Sequence, residues 1–135
     1  MIDAYFVSPE TAIAAKGDSQ PLDISSSGSR IFLLTLSIMS MVEQESLEVS
    51  VFTSEDATTW DAKPAAFISQ KFYVGEYPVV VDITSAPNAK FVRAHWEVSR
   101  WGRGATAPKF EIALRLREVP LEALHEAQAE AHASR

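Results

Sequence analysis

Between Phe110 and Leu116 every second residue is large and apolar: Phe110, Ile112, Leu114 and Leu116, with Glu111 and Arg115 between them. A helix brings a residue back to one face about every 3.6 positions, whereas an extended chain does so every second position. Residues 109–119 are therefore expected to form a β-strand with one buried and one exposed face. The same period appears in Leu47, Val49 and Val51 against Glu48 and Ser50. It appears again in Val92, Ala94, Trp96 and Val98 against Arg93, His95 and Glu97.

Residues 31–39 add a stronger strand. Phe32, Leu34, Leu36 and Ile38 line one face, while Ile31 and Leu33 make the other face apolar at its start. That is the pattern of a central strand covered on both sides at one end. Further strands are expected at 3–7, 11–15, 22–24, 67–74 and 79–83. Pro9 should stop the first or set it on an edge, and Pro78 should mark an edge or a strand start. Turns are expected at 16–18, 25–29, 43–46, 75–76 and 85–89. Short strands separated by turn signals imply an all-β, antiparallel sandwich of the jelly-roll type over residues 1–119.

Pro120 changes the period. Residues 121–132 are rich in alanine, with Glu122, Glu126 and Glu130 four apart, and Pro120 suits a first helical position. Residues 120–135 are expected to be a short helix or a flexible tail.

Residues 47–60 read as a strand, a tight turn and the start of the next strand. The segment Ser54-Glu55-Asp56-Ala57-Thr58-Thr59-Trp60 resembles the Ser-x-Asp-Gly-x-x-Trp hairpin of discoidin domains, the coagulation factor 5/8 type C family. Phe91 and Arg93, following a turn, resemble a later strand of the same family. The resemblance spans residues 31–119 and implies a galactose-binding-like jelly roll that binds glycans, lipids or proteins without catalysis. Ala57 departs from the pattern, because glycine reaches a left-handed turn at lower cost.

The chain of 135 residues has no cysteine, so disulfides and thiolate metal sites are excluded. Its net charge of −6 argues against a nucleic-acid partner. The first residues show no basic region followed by an apolar run, so retention in the cytoplasm is the expectation. The longest apolar stretch, 31–41, falls short of the ~20 residues of a membrane helix. The charge is segregated. Residues 43–61 carry six acids and no base, and residues 90–117 carry seven bases against two acids. Either strands from the two segments pair, or opposed faces join neighbouring copies.

Arg100, Trp101 and Arg103 form the most distinctive loop. Two guanidinium groups flank an aromatic, a chemistry that grips carboxylates, phosphates or sugars. Trp60 could join them as a stacking platform, although a place beside the core is the simpler role. Asp56 is expected to accept backbone hydrogen bonds within its turn. Glu55, Asp56 and Asp61 could offer oxygen ligands to calcium, but their spacing matches no calcium loop. His95, Arg93 and Glu97 share a strand face, which keeps a small hydrolase or lyase open. His125 and His132 lack zinc-protease spacing. Nothing in the sequence calls for a cofactor or a metal. The expectation is a non-enzymatic binding or assembly module, a self-assembling homo-oligomer in the preferred version and a carbohydrate-binding module in the alternative.

Overall fold

The computed structural model describes residues 1–41, 45–100 and 109–123, with the backbone only of Glu10 and Arg100. Its strands are β1 (Asp3–Ile13), β2 (Gly17–Asp18), β3 (Leu22–Asp23), β4 (Ile31–Met41), β5 (Glu45–Ser54), β6 (Ala66–Lys71), β7 (Gly75–Asp82), β8 (Phe91–Arg100) and β9 (Phe110–Glu118). The first sheet runs β1-β9-β4-β7. The second runs β2-β8-β5-β6, and β3 also pairs with β8. The pairings described are antiparallel. The two sheets pack face to face as an all-β sandwich.

The alternating patterns build the layer between the sheets. Phe32, Leu34, Leu36 and Ile38 of β4 and Phe110, Ile112, Leu114 and Leu116 of β9 are buried against Leu47, Val49 and Val51 of β5 and Val92 and Ala94 of β8. Each large side chain there contributes roughly 1.5–3 kcal/mol by leaving water. β4 is central, between β9 and β7, as its two-sided apolar start implies.

Several boundaries differ from expectation. Pro9 does not end the first strand. β1 continues to Ile13 through an irregularity between Val7 and Thr11, and β1 is an edge strand. A bulge on an edge can lack one N–H without breaking the sheet. Gly17 and Asp18, expected in a turn, pair with Trp96 and His95. Gly75 and Glu76 belong to β7, so the turn before it lies at residues 72–74. Trp60 does not open the next strand, which starts at Ala66. The polar turn and Pro64 keep residues 55–65 out of the ladder; backbone bonds from Asp61 N–H to the Thr53 carbonyl at 3.0 Å and from Ala65 N–H to the Val51 carbonyl at 2.7 Å help tie them to β5.

Residues 121–123 form a helical turn after Pro120. The rest of the expected C-terminal segment, including His125 and His132, lies outside the described residues. Among the described residues no helix is long and apolar enough to cross a membrane.

Candidate functional site

The strand order gives the sandwich two lateral edges. On one, β6 and β7 end their sheets side by side, joined by residues 72–74. On the other, β1 and β2 do so.

The β6–β7 edge carries exposed apolar side chains. Tyr73 is 76% exposed, Val74 58% and Val80 59%, with Phe67 and Phe72 also open. The turn is braced from below. Tyr77 Oη donates to the Tyr73 carbonyl at 2.6 Å, and Lys71 Nζ lies 5.0 Å from the Tyr77 ring centroid. The alternating pattern of 67–74 pointed to a strand. It gave no sign that the strand stops at Lys71 and leaves three apolar residues in a turn.

The β1–β2 edge carries a cleft of about 460 Å³. Phe6, Ile13 and Trp96 line it, and Lys16 and Asp18 stand at its rim. Trp96 Nε1 donates to the Ala15 carbonyl at 3.2 Å. Gly17 lies so close beneath the indole that an added Cβ would sit 3.2 Å from it. A side chain at this position would have to push the indole back by a few tenths of an ångström.

The outer face of the second sheet holds a polar–aromatic cluster. The register sets Phe52 opposite Arg93, and Ser50 between Phe67 and His95. The Arg93 guanidinium carbon lies 4.4 Å from the Trp60 ring centroid, a cation–π stack that takes one face of the indole. His95 Nε2 lies 2.8 Å from Glu97 and Nδ1 2.8 Å from Asp18. Burial opposes its charge, but the bonds to Glu97 and Asp18 outweigh this and raise its pKa above the usual histidine value. Arg93, His95 and Glu97 thus share a sheet face as expected. The cavities described here are lined by other residues.

At one end of the sandwich, the 54–61 turn and residues 85–89 enclose about 370 Å³. Asp56 Oδ1 accepts N–H groups of Thr58 and Thr59, each at 2.9 Å, which hold its carboxyl below the usual range. Ser54 Oγ donates to the Thr59 carbonyl at 2.6 Å and accepts Ala57 N–H at 2.9 Å. Asp61 accepts the Thr53 hydroxyl at 2.6 Å. Asp56 therefore has the turn-holding part expected of it. No group of three His, Cys, Asp or Glu able to hold a metal occurs among the described residues.

Two supports were not legible in sequence. Arg30, with φ 58°, donates to the carbonyls of Ala86 and Ala89 at 2.7 and 2.9 Å. Glu118 accepts the N–H groups of Ile2 and Gly28 at 3.1 and 3.0 Å. Burial pushes its carboxyl up, but these backbone bonds win and lower it. Both contacts join residues far apart in the chain, which no local pattern signals.

Of the proposed binding loop, Trp101 and Arg103 lie outside the described residues. Arg100 ends β8 with its backbone paired to Glu45. The acidic and basic segments do pair as β5 and β8. The ion pairs described run elsewhere, from Arg93 and His95 to Asp18, from His95 to Glu97 and from Arg115 to Asp3.

The class of protein thus defined is an antiparallel β-sandwich domain. No protein-family model matches the chain, and comparison with curated proteins finds no match.

Proposed function

We propose that this domain is a non-enzymatic assembly module that associates with copies of itself. The observation that carries this reading is the exposed apolar run at residues 72–74, flanked by Phe67 and Val80 on one edge. Consecutive exposed apolar residues are unfavourable in water unless a partner covers them. The likeness of residues 54–60 to the discoidin sequence pattern supports a binding rather than a catalytic role. The test is the mass by light scattering after gel filtration, at rising protein concentration and two salt concentrations. A mass that grows with concentration supports the reading, and a monomer throughout overturns it.

A second reading, glycan binding, is favoured by the outer face of the second sheet. There Trp60, Phe52 and Phe67 stand among Arg93, His95 and Glu97, combining stacking surfaces with hydrogen-bonding groups. It predicts that Trp60→Ala removes saturable binding on a glycan array while the domain stays folded. An array on which wild type binds nothing overturns it.

A further inference from the structure

The assembly reading leaves open which surfaces meet, and the two lateral edges are unlike in shape. One carries a projection, the turn at residues 72–74 with Tyr73 at its tip. The other carries the cleft walled by Phe6, Ile13 and Trp96. We propose that the turn of one copy seats in the cleft of the next, so that subunits join head to tail. This inference rests on the assembly reading and specifies its contact.

Three observations support it. The cleft is a broad, open hollow of about 460 Å³, large enough to take an aromatic side chain from a neighbouring copy. Phe6 and Trp96 give it apolar surface for the tip, among polar neighbours such as Ser8 and Thr11. The charges beside the two surfaces are also complementary. Lys71 and Glu76 flank the turn, and Asp18 and Lys16 stand at the rim of the cleft. Asp18 is already held by His95 and Arg93, so the charge match rests on Glu76 meeting Lys16.

The strand order gives the contact a direction. The projection and the cleft belong to opposite edges of the same two sheets, so two copies cannot fill each other's clefts at once. Each added copy presents a fresh projection on one side and a fresh cleft on the other. Such heterologous contacts generate open chains or closed rings rather than dimers.

The test uses two variants in the full chain. Tyr73→Ser removes the tip, and Ala14→Trp fills the cleft from an exposed position in its lining. Sedimentation should show the wild type growing beyond a dimer with concentration, and each variant alone at the monomer mass of 14.8 kDa. An equimolar mixture should form a one-to-one pair and stop, because one variant keeps its cleft and the other keeps its turn. Circular dichroism checks that each variant is folded, and Val74→Lys replaces Tyr73→Ser if the latter is not. If wild type associates while folded variants associate equally well, or if wild type stops at a dimer, the head-to-tail contact is wrong and the assembly reading stands. If wild type remains a monomer at every concentration, the assembly reading itself falls, and this contact with it.

Discussion

His95 Nδ1 lies 2.8 Å from a carboxylate oxygen of Asp18, a residue 77 positions earlier in the chain. The contact fastens the short strand β2 to β8 at the edge of the second sheet, beside the cleft. Asp18 also stands 3.9 Å from Arg93, and Glu97 holds the other imidazole nitrogen.

Because folding raises the His95 pKa, the contact contributes fully below the unfolded histidine value of about 6.5. Its contribution fades as pH climbs through the higher folded value. The gap in urea midpoint between wild type and His95→Gln should therefore be widest near pH ~6 and shrink as pH rises from there. A gap independent of pH would mean that the imidazole stays neutral in the fold.

Ala57 has φ 63°, in the left-handed region. A Cβ there costs roughly 1–2 kcal/mol, while glycine loses about 0.4–1 kcal/mol through the greater freedom of its unfolded chain. The difference favours glycine, so Ala57→Gly should stabilise the domain by about 0.5–1 kcal/mol in urea titration. A loss of stability would refute the strain at this position.

Leu114 and Arg115 are neighbours on β9 with opposite fates, since Leu114 is fully buried and Arg115 meets Asp3 at the surface at 2.6 Å. Leu114→Ala should cost about 2–5 kcal/mol through lost burial and the cavity it leaves. Arg115→Ala should move the midpoint far less, because exposed ion pairs contribute little. Equal costs would contradict the assignment of faces in this strand.

What the sequence makes legible is what repeats locally. The faces of β4, β5, β8 and β9 follow from alternation alone, because a one-residue slip would turn every apolar side chain to the wet side. The Asp56 turn was legible because its partners lie within three residues. The edges were not. Whether Pro9 ends a strand or sits in a bulge depends on β9, more than 100 residues later. The apolar turn at 72–74 resembles strand sequence, and only the end of pairing at Lys71 exposes it. The cleft is equally hidden, since it brings Trp96 against Ala15 and Gly17 from the far side of the chain.

β9 lies between β1 and β4, and it supplies the described neighbour of β1 in the first sheet. β1 therefore cannot take its place in this sheet until β9 is available. Until Phe110 to Glu118 has been synthesised, Phe32, Leu34, Leu36 and Ile38 have half their sheet missing, and the nascent chain holds these side chains without their final cover. Such non-local closure slows folding and lengthens the interval in which sticky strand edges are open. Slow closure of the first sheet is the expected cost of a topology that sets β9 between β1 and β4.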